Sequence, residues 1–318
     1  MRLASVLTPF SDYHLQLAAQ CGVTDVVARY PGSDPAALKS ICDQAARFGL
    51  GVCAVEGYLP IENIILGTPE RDAEIEEMGR LLESMSENAV PTCCYNFMAG
   101  TDWVRTRVDL PERGGALVTG FDLSEVDRAV TLTVNAREVG ELVISEEQLW
   151  ENLGYFLERI LPIAERLGVT LAMHPDDPPL KQFLGRARIM NSVEGFERLV
   201  ALAPSPANGI CFCQGTFAEM GVDVPAAIRR LGRHIRYVHF RDVKGGPEKF
   251  VETFHDNGQT DMAEAIRAYR DIGYEGVMRP DHVPQLVGEE DGPPGYTMLG
   301  RLFAFGYMRG LLHGVGAR

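Results

Sequence analysis

No stretch of this sequence is apolar over the length needed to cross a bilayer, and the opening residues MRLASVLTPFSDYHL lack a basic region leading into an apolar one. Neither a membrane span nor a secretory leader is expected, and the chain reads as cytoplasmic. A surplus of basic charge is missing as well. Thirty Lys and Arg stand against 44 Asp and Glu, a formal net charge of -14, which disfavours a nucleic-acid partner because such partners need a basic face. Small anionic substrates stay open, since they respond to local charge at a site. No Gly-rich nucleotide-binding turn follows the first apolar run, and no linker divides the chain. Cysteine is sparse and odd in number, seven in all. Cys21, Cys42, Cys53, Cys93 and Cys94 fall inside apolar or helical patterns and read as small reduced core residues.

What the 318 residues do contain is a regular alternation. Eight short apolar runs, at 2–7, 23–29, 51–56, 91–97, 169–174, 209–214, 235–241 and 276–281, have the composition of buried parallel strands. Amphipathic stretches of helical length separate most of them, among them 34–49, 69–87 and 145–168. The βα order predicts an α/β fold, a single (β/α)8 TIM barrel domain over 1–318 with long βα-loop insertions. The longest connection, 98–144, follows the fourth strand as a loop or flap insertion with a hairpin turning at Gly114-Gly115 and ALVTGFD after it. A second insertion, 244–260, follows the seventh strand, and a helix over 296–313 closes the barrel.

Four of these runs end in residues that bind metals: His174 after TLAM, Cys213 in GICFC, His239 in IRYVH and Asp281 in GVMRPD. Only a barrel mouth brings the carboxyl ends of successive parallel strands to one point, and enzymes of that fold keep their chemistry there. Residues two apart on a strand share a face, so Cys213 is the ligand and Cys211 lies one layer below it. The same rule sets Arg241 one step above His239, where its fork suits a substrate carboxylate, and Arg279 next to Asp281 as a supporting partner. Two imidazoles, a thiolate and a carboxylate suit a divalent transition ion and disfavour Mg2+ or Ca2+.

Several strings together resemble the metal-dependent D-mannonate dehydratase family, a branch of the xylose-isomerase-like barrels. They are VEG (55–57), LGTPERD (66–72), CYNFMAGTDWVRT (94–106), HPDDPP (174–179), FCQGT (212–216), VHFRDV (238–243), ETFH (252–255), TDM (260–262), RPDH (279–282) and PGY (294–296). The resemblance implies that His174, Cys213, His239 and Asp281 hold a Mn2+-type ion, with Fe2+, Co2+ and Zn2+ as the other candidates. It implies a lyase of hexuronate catabolism that removes water from D-mannonate to give 2-keto-3-deoxy-D-gluconate, with acid–base roles for His282 and Tyr296. Homo-oligomerisation is a further expectation of the family. Trp103, Arg105 and Asn96, at or just past the fourth strand, are expected to line a sugar pocket. His255 is expected to reach it from the second insertion, and Glu56 to end the third strand as a pocket acid. Asp176 and Asp177 would orient His174 or bind loop amides. Ile61 stands where many members carry a histidine, and FCQGT replaces their commoner Cys-Thr/Ser-Gly-Ser. Two other readings stay open on sequence: another lyase, isomerase or epimerase acting on a related sugar acid or keto-glycoside, and a catalytically silent binding protein.

Overall fold

In the computed structural model, which describes residues 1–131 and 142–316, eight parallel strands overlap the eight apolar runs. They are β1 (Arg2–Val6), β2 (Asp25–Ala28), β3 (Gly51–Glu56), β4 (Thr92–Tyr95), β5 (Thr170–Met173), β6 (Asn208–Cys213), β7 (Ile235–Phe240) and β8 (Val277–Pro280). Each pairs with its sequence neighbours, and β8 returns to β1, closing the barrel. Small and medium side chains fill its lumen, including Ala4, Val27, Ala54, Ala172 and Cys211, which leaves Cys211 one layer below Cys213. A larger apolar cluster fills the layer between strands and helices.

Local sequence explains where the outer helices start and stop. Helix Glu146–Leu167 opens on a capping box, in which Ser145 accepts the Gln148 amide and Gln148 reciprocates, and it ends at Gly168 in the left-handed region (φ 68°). Pro35 begins another helix behind the Asp34 cap. Met298–Gly314 is the closing helix. Among the described residues no helix is long and apolar enough to cross a membrane.

The two insertions join. Strands Arg107–Pro111 and Leu117–Asp122 form the expected hairpin, with Gly114 and Gly115 in the left-handed region at its turn. Leu117–Asp122 then pairs with Lys249–Glu252 from the second insertion, which pairs with Val243–Gly246. The result is one four-stranded antiparallel sheet built from both connections, and it carries Glu252 to the residues that follow β8. Of the expected 98–144 insertion, residues 132–141 lie outside the described residues.

Candidate active site

His174 follows β5 directly, Cys213 ends β6, His239 lies one residue from the end of β7, and Asp281 follows β8. One ligand atom from each lies within 4.8 Å of the others; three of the residues are buried and His174 is half-buried. Their orientations come from neighbours. The Pro175 carbonyl lies 2.7 Å from His174 Nδ1 and accepts its N–H, which leaves Nε2 as the nitrogen that can face an ion. Glu56 Oε2 accepts the Nε2–H of His239 at 3.1 Å, and His239 Nδ1 faces Asp281 Oδ2 at 3.7 Å. The Thr216 hydroxyl donates to Cys213 Sγ (3.2 Å), while Arg279 Nη1 and Arg241 Nε donate to the two Asp281 oxygens at 2.7 and 3.0 Å.

The electrostatics of this cluster fit a cation. Burial opposes ionisation of the Cys213 thiol, but Arg241 and the two imidazoles outweigh it and hold the thiol well below its usual range. Burial likewise opposes the Asp281 carboxylate, and His282, Arg279, His239 and Arg241 hold it low. Conversely, burial alone would lower His174, yet the hydrogen bond and charge of Cys213 lift it to about 9. His239 is raised too, by Glu56, Asp281 and Cys213 against burial and Arg279. Two anionic ligands balanced by two imidazole protons form the charge pattern in which a divalent ion displaces those protons. A buried donor set of two histidines, one cysteine and one aspartate supports a divalent transition metal.

Above the ligands opens a cavity of about 460 Å3. Glu56, Asn96, Trp103, His282 and Tyr296 all line it, as expected from sequence. Trp103 is held in the left-handed region (φ 40°), a strained conformation for a bulky residue. Its indole stacks on the His282 ring at 4.1 Å and meets Tyr296 edge-on at 5.1 Å. His282 Nδ1 lies 2.5 Å from Glu252 Oε1, so Nδ1–H donates to that carboxylate, and Nε2 lies 3.7 Å from Asp281 Oδ1. Glu252 stays ionised below the usual carboxylate range: burial opposes this, and His282 and Arg105 outweigh it. Burial is also the largest influence on Tyr296, whose phenol is raised despite the lowering effect of Arg29 and Arg279.

Three expected wall residues do not line the cavity. Arg241 is buried (1% exposed side chain) and bonds Glu219, Asp177 and Asp281 at 2.9, 2.9 and 3.0 Å. Strand β7 ends at Phe240, so the alternation that aimed Arg241 at the mouth stops there. The guanidinium instead packs over Gly215, where a Cβ would sit 2.4 Å from Nη1. Arg105 is equally buried, donating to both oxygens of Asp177 (2.7 and 3.0 Å) and to Glu252 (2.5 Å). His255 is enclosed behind β7 with its ring against Phe240, and burial pushes it down to about 4. Asp176 accepts the Met190 amide at 2.7 Å, the loop-amide alternative, whereas Asp177 serves the two arginines. Residues on the wall that sequence reasoning missed are Arg29, Tyr58, Asp102 and Cys94, the last of which was read as core.

The described geometry has close counterparts. The family model for D-mannonate dehydratase (UxuA) matches residues 12–317. A mannonate dehydratase of Oceanobacillus iheyensis is 36% identical over 299 residues, covering 88% of this chain and 84% of that one. The crystal structure of mannonate dehydratase from Streptococcus suis serotype2 superposes with a TM-score of 0.88 at 30% identity, covering 99% of this chain and 96% of that one. A xylose isomerase domain protein from Alicyclobacillus acidocaldarius, with a TM-score of 0.67 at 12% identity and 99% of each chain covered, shares the fold alone. With a matched model over nearly its whole length and relatives this similar along most of theirs, the chain belongs to the D-mannonate dehydratase (UxuA) family.

Proposed function

We infer that the chain dehydrates D-mannonate to 2-keto-3-deoxy-D-gluconate, and that the residues around the His174–Cys213–His239–Asp281 cluster carry out the two proton transfers this needs. The observation that carries the reading is the placement of His282 and Tyr296 on one cavity wall beside four metal-binding side chains in a chain of this family. The C2–H bond breaks to leave its electron pair next to the carboxylate, the C3–O bond then breaks, and the hydroxyl leaves as water. The resulting C2–C3 enol takes a proton at C3 and gives up the one on its C2 oxygen to become the ketone. When bound, the divalent ion supplies Lewis-acid stabilisation of the charge that develops beside the carboxylate; we propose Mn2+ as that ion.

His282 is the proposed base. Its Nδ1–H is committed to Glu252, so Nε2 is free to take the C2 proton, and the carboxylate then faces the imidazolium that forms. Tyr296 is the proposed acid, because a half-buried phenol raised above its ordinary value keeps its proton until the leaving hydroxyl takes it. Trp103 packs against both rings. Seven free cysteines and a thiolate ligand suit a reducing compartment, which supports the cytoplasm as the site of action. Homo-oligomerisation and a one-domain organisation belong to the same proposal.

The reading is tested by removing metal with a chelator, adding Mn2+ back, and measuring 2-keto-3-deoxy acid formed from D-mannonate. Activity should vanish and return. Stoichiometric ion binding without product would overturn the substrate assignment. A second expectation concerns Glu252→Gln. Glutamine keeps an acceptor toward His282 and turns its NH2 to Thr119, whose hydroxyl lies 2.9 Å from Glu252 Oε2. Geometry is thereby held while the charge is lost. Turnover should fall by about a hundredfold, the low end of what a positioned proton-transfer group contributes, with bound metal unchanged. Normal turnover in this variant would remove Glu252 from the scheme.

A further inference from the structure

We propose that Arg29, directly after β2, receives the carboxylate of the sugar acid and sets the enzyme's preference for acids over neutral polyols. The cavity needs such a group. Its wall carries the carboxylates Glu56, Asp102, Asp177 and Asp281, and an anionic ligand entering it meets charge of its own sign. The arginines among the described lining residues are Arg29 and Arg279. Arg279 is fully committed: Nη2 and Nε donate to Glu56 at 2.5 and 3.2 Å, and Nη1 donates to Asp281 at 2.7 Å. Arg241, which sequence spacing favoured for this task, is spent on buried carboxylates.

Arg29 differs on each count. Its side chain is 31% exposed; besides the Tyr296 phenol, to which it is hydrogen-bonded, its link is to Glu56 and is a long one, with Nη1 3.3 Å from Oε1 and 3.4 Å from the main-chain oxygen. Glu56 already accepts from Arg279, His239 and the Tyr237 hydroxyl, so it leaves the Arg29 charge only partly neutralised. The guanidinium lies 5.6 Å from the Tyr58 ring centre and 5.3 Å from that of Tyr296, between two aromatic walls that fix its plane. Gly57, in the left-handed region (φ 78°), makes room for it: a Cβ there would lie 2.9 Å from Nη1. A held, partly exposed planar fork facing a cavity matches a carboxylate bidentately. Only the Glu56 carboxylate separates Arg29 from the ligand His239. A short acid can therefore reach Arg29 and the ligand cluster together.

The inference rests on the dehydratase reading, and its test is a binding measurement separate from turnover. The probes are the 3-deoxy derivative of D-mannonate, which has no 3-hydroxyl to lose, and the same compound with its C1 carboxylate reduced to the alcohol. Calorimetric titration of the Mn2+-loaded protein should give at least about a tenfold preference for the acid, the scale of one charge-assisted pairing. In Arg29→Gln the preference should shrink to about twofold, with the alcohol's affinity and the bound metal little changed. Arg29→Lys keeps a charge opposite Glu56 without the fork and should fall between. No acid preference in the wild type, or an undiminished one in Arg29→Gln, overturns the assignment. If Arg29→Gln loses its metal, the lysine variant decides, and a wild-type preference there overturns it. Arg29-dependent binding in a protein that does not dehydrate D-mannonate would instead remove the substrate reading and leave the carboxylate site standing.

Discussion

Tyr296→Phe should lose about a thousandfold in D-mannonate turnover, within the range a positioned acid or base contributes, while the protein keeps its fold and its metal. The hydroxyl is the only group removed, and with it the hydrogen bond to Arg29. The ring keeps its edge-on contact with Trp103 at 5.1 Å and its place between the guanidiniums of Arg301 and Arg29, at 4.9 and 5.3 Å. Tyr296 is not one of the four ligand residues, so metal content measured by elemental analysis should match the wild type. The variant also separates the two proton transfers. If Tyr296 delivers the proton to the leaving hydroxyl and His282 takes the one at C2, Tyr296→Phe should still exchange the C2 hydrogen of D-mannonate with deuterated solvent, and His282→Asn should not. Loss of exchange in the tyrosine variant would reverse the roles. Near-normal turnover would remove the pair altogether.

Both the barrel and its ligands were readable from sequence because both rest on short-range periodicity. A ligand at the end of an apolar run points where the strand's alternation sends it, and four such runs converge whatever their loops do. Legibility stops where the strand stops. Arg241 follows the last residue of β7 by one position, and its direction is set by Gly215, a contact that no spacing rule reveals. Arg105 and His255 failed to reach the wall for a related reason: their places depend on how the two insertions pair, and Leu117–Asp122 with Lys249–Glu252 is a partnership across more than a hundred residues. That pairing also delivers Glu252 to His282, a contact that nothing in the local spacing of ETFH reveals. Arg29 is a different case. It closes the second apolar run as His174 closes the fifth, so it follows the same strand-end rule as the ligands, but it is an arginine and not a metal-binding type, and spacing alone gives Arg241, two residues past His239, an equal claim to the carboxylate.

Cys213→Ser should weaken Mn2+ binding by more than about a hundredfold at pH 9, beyond the ten- to hundredfold that supporting partners of a metal site typically contribute, and by less at pH 7. The thiolate does two opposing things. As a ligand it offers negative charge that a serine hydroxyl, protonated at these pH values, does not. As a neighbour it holds a proton on His174, lifting that imidazole to about 9, so that at neutral pH an incoming ion must first displace the proton. In the wild type, affinity should therefore climb with pH until His174 titrates near 9. Serine removes the largest influence that raised His174 and leaves burial and His239, which lower it, against Cys94; His239 stays raised by Glu56 and Asp281, so the variant's affinity should still climb across the same window but less steeply. The gap between the two proteins then widens as pH rises. Dissociation constants for Mn2+ measured anaerobically at pH 7 and pH 9 check this, with activity following the bound fraction and returning in part at high Mn2+. That recovery distinguishes the ligand variant from Tyr296→Phe, which no amount of metal should restore. Equal affinity in the two proteins at pH 9 would mean that Cys213 is not a ligand, and parallel pH slopes would mean that its thiolate does not hold the His174 proton.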